Sequence, residues 1–127
     1  MITLFVIGRI IVGVYFIYNG VNHFMHIGMM SAYAKSKGVP ASSLAVVITG
    51  ILLVLGGLSI LLGLLPVVGF IFLLVFLIPV SFVMHNFWAV QDQQAKMIEK
   101  VNFLKNMALA GAVLMFFMVA RPWPWAF

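Results

Sequence analysis

Residues 44–84 read LAVVITGILLVLGGLSILLGLLPVVGFIFLLVFLIPVSFVM, a stretch without one charged side chain. About 20 apolar residues cross a hydrocarbon core of about 30 Å at about 1.5 Å per residue. The stretch therefore holds two spans, Leu44–Leu64 and Val67–Met84, with Pro66 and its neighbours between them. A connection that short makes the two helices antiparallel neighbours. Pro79 removes a backbone donor inside the later span, which predicts a kink and leaves the Val75 carbonyl in need of another partner.

The rest of the chain has the same character. Of 127 residues, 65% are hydrophobic and 7% charged, with a mean hydropathy of +1.25. A water-soluble domain carries about 25% charged residues, so this composition excludes a soluble globule. Ile2–His23 forms a first span, too long and too polar at its end (Asn22, His23, Phe24) for a cleaved signal, and is expected to stay in the membrane. Asn102–Ala120 forms the fourth. Between the first two spans, Ile27, Met30, Tyr33 and Ala34 recur on a helical spacing before the stop signals Gly38 and Pro40, which predicts a short helix lying at the interface. Asp92 is placed to cap a helix running through Lys96 and Glu99 into the fourth span. The fold expected is all-α, a membrane-embedded four-helix bundle with a short interfacial helix, in one domain over residues 1–127.

Seven Lys and Arg stand against two Asp and Glu. The cations gather where spans meet water, which is a membrane pattern and not a nucleic-acid one. Lys35, Lys37, Lys96 and Lys100 share one side, with Lys105 just inside it, so the positive-inside rule places both polar connections in the cytoplasm and both termini outside. Trp88 on one side and Trp123 and Trp125 on the other are expected to mark the headgroup levels, with residues 121–127 as an interfacial anchor. The chain has no cysteine, which excludes disulfides, thiolate metal sites and thiol relays.

Helices in lipid associate through small residues that let backbones approach. Ser42, Ala45, Thr49, Leu52, Gly56, Ser59 and Gly63 follow a heptad spacing and predict a contact face, toward another helix of the chain or toward a second protein. In the first span Arg9, Gly13, Phe16, Gly20 and His23 share a stripe, so Arg9 should face the bundle.

Ionisable groups in spans are costly and so are candidates for function. Arg9 either snorkels to the headgroups or binds a carbonyl, quinone oxygen or lipid headgroup within the bundle. Lys105 either meets anionic lipid or pairs with a ligand or Glu99. Asn19, Asn22, His23 and His26 close the first span, and Ser81, His85 and Asn86 close the third on the same side. The pairs Asn19–His23, Asn22–His26 and Ser81–His85 are four residues apart, which predicts a hydrogen-bonding neighbour for each His on its own helix. The cluster reads as interface-seeking side chains, as a quinone or similar amphiphile site, or, more remotely, as bis-His haem b ligation. Zinc lacks a third good ligand.

Gly8-Arg9-Ile10, Lys37-Gly38-Val39-Pro40, His85-Asn86-Phe87-Trp88 and Phe103-Leu104-Lys105-Asn106-Met107-Ala108-Leu109, in this order and spacing, resemble the DoxX family. The resemblance implies a small four-helix protein of the bacterial or archaeal inner membrane. The family takes its name from a terminal oxidase and thiosulfate:quinone oxidoreductase system, and other members are associated with redox-stress complexes. It adds weight to Arg9, His85, Asn86, Trp88, Lys105 and Asn106 without assigning their chemistry. The larger thiosulfate-oxidising relatives have a region lacking here, and no thiol is present to hold a sulfane sulfur.

The leading expectation is an auxiliary or non-catalytic subunit of a respiratory or redox complex, among lipid and other membrane subunits. Its polar pocket for quinone or lipid would draw on Arg9, His23, His85, Asn86, Lys105 and Asn106. The alternatives are a quinone-reactive oxidoreductase in its own right and a small-molecule transporter.

Overall fold

A computed structural model describes all of residues 1–127. It is entirely helical: α1 (Ile2–Met25), α2 (Ile27–Ser36), α3 (Ser42–Leu62), α4 (Pro66–Met84) and α5 (Gln93–Phe116), with a single 3₁₀ turn at Phe87–Ala89 between α4 and α5. The expected helical bundle is present, and so is a short helix between the first two spans; of the four expected spans, the one at residues 102–120 is not among the helices long and apolar enough to cross. Three helices are long and apolar enough to cross a membrane, α1, α3 and the α4 segment. α5 carries Lys96, Glu99, Lys100 and Lys105 in its first half and takes its place in the bundle by packing along α4.

Close packing runs in the order α1, α3, α4, α5, with α2 laid on α3. The α1–α3 seam is made by two glycine pairs, each member seven residues from the next. A Cβ on Gly13 would lie 3.0 Å from the Gly57 carbonyl oxygen, and one on Gly20 would lie 2.8 Å from that of Gly50. Backbones this close need residues without side chains. The heptad face of α3 is shared among neighbours: a Cβ on Gly56 would meet Leu73 of α4 at 2.6 Å, one on Gly63 would meet Ala126 of the tail at 2.8 Å, and Thr49 lies 3.1 Å from His23 of α1. That face is thus an intramolecular contact. Phe16, Leu53, Ile60, Phe70, Leu73 and Leu77 fill the core at no more than 1% exposure.

Local chemistry sets the ends. Asp92 caps α5 by accepting from the Ala95 amide at 2.9 Å, as its position predicts. Gly38, at φ +83°, closes α2: its amide bonds the Lys35 carbonyl while that of Val39 reaches back to Ala34. This paired arrangement satisfies the last carbonyls of a helix and needs a left-handed residue.

α5 stops at Phe116, short of the expected Ala120. Its end tightens into three-residue hydrogen bonds (Phe117 to Leu114, Met118 to Met115, Val119 to Phe116), and Pro122 then has no amide to carry the helix on. The tail folds back across the end of the bundle. Trp123, expected at headgroup level, is instead 4% exposed, edge-on to Phe5 at 5.3 Å and against Phe70 at 5.6 Å. Burying the ring removes more apolar surface from water than an interfacial seat does. Trp88 and Trp125 do stay exposed.

Candidate functional site

At the α2 end, α1 packs on α3 but makes no comparably close approach to α4 or α5. The space between them is a cavity of about 380 Å³ roofed by α2. Phe16, Leu53, Phe76, Leu77, Val80 and Leu109 give it apolar walls. Pro79 stands on the same wall, so the missing amide falls where α4 borders the cavity.

The polar lining comes mainly from α1, α5 and the end of α4, with Thr49 of α3 and Tyr33 of α2 beside them. On α1, the Asn19 side-chain amide donates to the Tyr15 carbonyl at 2.8 Å, leaving its oxygen free. The His23 Nδ1 lies 3.2 Å from the Val46 carbonyl. Thr49 Oγ1 stands 3.1 Å from the same nitrogen and passes its own hydrogen to Ala45 at 2.8 Å. No carboxylate touches this ring, and its Nε2 has no protein partner. Gly50 makes room for the arrangement: a Cβ there would press on the His23 Cβ at 3.1 Å. On α5, Lys105 and Asn106 line the opposite wall; Asn106 is only 5% exposed and its amide bonds to no other group of the protein. His85 enters from the end of α4.

Glu99 organises the mouth. Its carboxylate accepts from the Tyr33 hydroxyl at 2.7 Å, lies 3.3 Å from His85 Nδ1 and 3.7 Å from the Lys37 ammonium. Lys37 also donates to the Asn86 side-chain oxygen at 3.0 Å. α2, the end of α4 and α5 are thereby tied together. Burial first, then the hydrogen bond and charge of Glu99, hold the Tyr33 hydroxyl protonated well above the ordinary tyrosine range. Beside the mouth, Phe103 of α5 is edge-on to Phe82, Phe87 and Trp88 at 5.3 to 5.6 Å, fixing the 3₁₀ turn against α5. No three His, Asp or Glu side chains converge anywhere in the chain.

The DoxX family profile matches residues 4–86. The chain belongs to the DoxX family. No curated protein and no solved structure matches it significantly. The DoxX match spans α1 to the end of α4 and so includes the α1 and α3 walls of the cavity, while the Phe103–Leu109 run lies beyond it. Of the four sequence runs that resemble DoxX proteins, three meet in space at the mouth: Lys37 bonds Asn86, and Phe87 and Trp88 pack on Phe103.

Of the six candidate residues, the fold brings His23, His85, Lys105 and Asn106 to one cavity and sets Asn86 at its rim. Arg9 is at the far end of the bundle. It is 6% exposed and donates to the carbonyls of Leu61, Pro124 and Trp125, with Trp123 beneath its guanidinium at 5.7 Å. It faces inward as its stripe predicts, but binds the tail. The four-residue side-chain pairs do not form. Asn19 and Ser81 turn back onto carbonyls of their own helices, His26 bonds the Asn22 carbonyl, and His23 and His85 find partners on α3 and α5. A backbone carbonyl one turn back is always in reach, and Asn and Ser take it first. Lys105 does not pair with Glu99, whose oxygens Tyr33, His85 and Lys37 occupy. Sequence reasoning missed Tyr33 and Glu99 as site residues. The available signal was scarcity, since Glu99 is one of two acids in a chain of net charge +5.

Proposed function

We propose that this DoxX membrane protein is an auxiliary subunit of a respiratory or redox complex whose cavity holds an amphiphile of the quinone or lipid class. One observation carries the reading: an apolar cavity of about 380 Å³ on which the His23 Nε2 and the side-chain polar atoms of Lys105 and Asn106 have no protein partner. Small-molecule sites occupy about 300 to 1,000 Å³ and pair apolar walls with a few placed polar groups. A ring with oxygen substituents fits those groups, and its tail fits the apolar walls. Haem b between His23 and His85 is the remoter occupant, each ring holding its Nδ1 to a protein acceptor.

A second reading has its own support. His85 lines the cavity and bonds Glu99 at the mouth, a route by which a proton reaches the cavity if the protein itself is quinone-reactive. We place the protein in a bacterial or archaeal inner membrane with the α2 end in the cytoplasm, since Lys35, Lys37, Lys96 and Lys100 lie there.

The test is a reduced-minus-oxidised absorption spectrum of protein extracted from its native membrane in mild detergent, followed by extraction of bound lipid and quinone. A stoichiometric amphiphile that His23→Ala and Asn106→Ala release is the expected result. A preparation holding none at stoichiometric level overturns the pocket reading. Redox-linked proton uptake without a partner protein would favour the oxidoreductase.

A further inference from the structure

The charges at the α2 end of the molecule do not cancel. Both acids are engaged: Asp92 accepts the Ala95 amide at 2.9 Å, and Glu99 accepts from Tyr33 at 2.7 Å and lies 3.3 Å from His85 Nδ1 and 3.7 Å from Lys37. Neither acid lines the cavity, and Lys105 is the only Lys or Arg that does. Its ammonium is a cation on an otherwise apolar wall, paired with no carboxylate of the chain.

Asn106 beside it is an independent sign of a ligand. Its side chain is 5% exposed and lines the cavity, and its amide bonds to no other group of the protein. The amide atoms nonetheless keep some accessible surface, and the cavity is where a side chain this buried can have it. Lys105, Asn106 and Leu109 fall at i, i+1 and i+4, so one face of α5 presents two nitrogen donors above an apolar residue. A buried amide calls for a hydrogen-bond partner, and a cation against apolar walls calls for a counter-charge. One head group satisfies both, an oxyanion that turns one oxygen to each nitrogen. A single cation matches a single negative charge. A cavity of about 380 Å³ lies near the lower end of small-molecule sites, which suits a carboxylate on one chain better than a two-chain phosphodiester. We infer that the cavity takes an acidic amphiphile, a long-chain carboxylate whose oxygens meet the Lys105 ammonium and the Asn106 amide and whose chain lies along Phe16, Leu53 and Leu77. This deepens the proposed pocket reading on its lipid side and rests on it.

The experiment uses the full chain in a non-ionic detergent at a pH of about 8, where a carboxyl group is ionised. The probes are decanoate, its methyl ester, decyltrimethylammonium and dihexanoyl phosphatidylglycerol. Calorimetric titration is expected to show decanoate binding about tenfold more tightly than its ester, the effect of one charge-assisted hydrogen bond, with the other two probes weaker than decanoate. Lys105→Met should remove the advantage of decanoate and leave the ester as it was, and Asn106→Leu should weaken decanoate. Lys100→Met removes an exposed cation of the same helix outside the cavity and should change nothing; a loss equal to that of Lys105→Met would mean attraction to a basic surface and overturns the inference. If Lys105→Met does not fold, Lys105→Gln carries the same comparison. Equal affinities for decanoate and its ester, or tighter binding of the phosphodiester, overturn the inference and leave the pocket standing. Binding of none of the probes sinks the pocket reading for chain amphiphiles and the inference with it.

Discussion

Tyr33 of α2 donates its hydroxyl to Glu99 of α5 across 2.7 Å and lies 3.2 Å from the Met84 carbonyl at the end of α4. One side chain thus joins three elements, and it does so over the mouth of the cavity. A hydrogen bond to a charged acceptor contributes about 1.5 to 3 kcal/mol, less at a site as open as this one. Tyr33→Phe should destabilise the fold by about 1 kcal/mol. The loosening should be local: hydrogen exchange should quicken across residues 27–36 and leave α1 and α3 unchanged. Uniform quickening would mean that Tyr33 supports the bundle generally and does not tether α2.

The same contact has a pH signature. Tyr33 ionises above the ordinary tyrosine range because burial, then Glu99, disfavour its anion. A group whose folded pKa is raised contributes stability that is complete below its unfolded value, about 10 for tyrosine, and is lost as pH rises toward the folded value. Tyrosinate absorbance at a pH of about 11 should therefore be the same in the unaltered protein and in Tyr33→Phe, since Tyr33 adds none there. Above about pH 10 the unaltered protein should lose stability more steeply than the variant. One additional tyrosinate equivalent at that pH would show the hydroxyl to be free.

The glycines give a graded series. Gly57→Ala places a methyl 2.8 Å from the Gly13 carbonyl oxygen, where only movement of a whole helix gives relief. Gly56→Ala meets the Leu73 side chain at 2.6 Å, and a side chain has more freedom to turn aside. Gly111→Ala meets nothing within 4 Å. Overpacking costs about 1 to 3 kcal/mol, so Gly57→Ala should lie at the top of that range and Gly56→Ala lower. Gly111→Ala should be neutral or stabilising by up to about 1 kcal/mol through helix propensity. Melting profiles in one detergent rank the three, and a Gly57→Ala protein as stable as the parent would dissolve the proposed α1–α3 seam.

How much of this was legible follows from the kind of information each feature needs. Hydropathy marks Leu44–Met84 as two spans, because the bilayer reads single residues. Periodicity aims Arg9, Gly13, Phe16 and Gly20 inward, because a face is a local property. The meeting of His23, His85, Lys105 and Asn106 is only half local: the common side of the membrane is countable from span parity, but the gap between α1 and α5 depends on α3 packing against both α1 and α4. The partners of the histidines lay beyond reach. Four-residue spacing favours Asn19 for His23 and Ser81 for His85, yet both turn to their own backbones. Trp123 misled for a related reason. Tryptophan near a span end belongs at the headgroups unless the chain beyond turns back, and nothing in residues 121–127 announces that it does.

Arg9 tests that turn. Its guanidinium holds the carbonyls of Pro124 and Trp125 from the tail and Leu61 from α3, while the Phe127 amide caps Leu62. Both acidic side chains of the chain lie at the other end, and carbonyl oxygens and the Trp123 ring surround the charge. A planar fork serves three acceptors at once, which an ammonium on a shorter reach does not. Arg9→Met should strand those carbonyls and free the tail, costing about 1 to 3 kcal/mol, and Arg9→Lys should recover only part of the loss. In a chain also bearing Trp88→Phe and Trp125→Phe, emission comes from Trp123 alone. It should be shielded from aqueous acrylamide with Arg9 in place and quenched readily in Arg9→Met. If Trp123 stays shielded without Arg9, its packing on Phe5 and Phe70 holds the tail, and the arginine is a passenger of that contact.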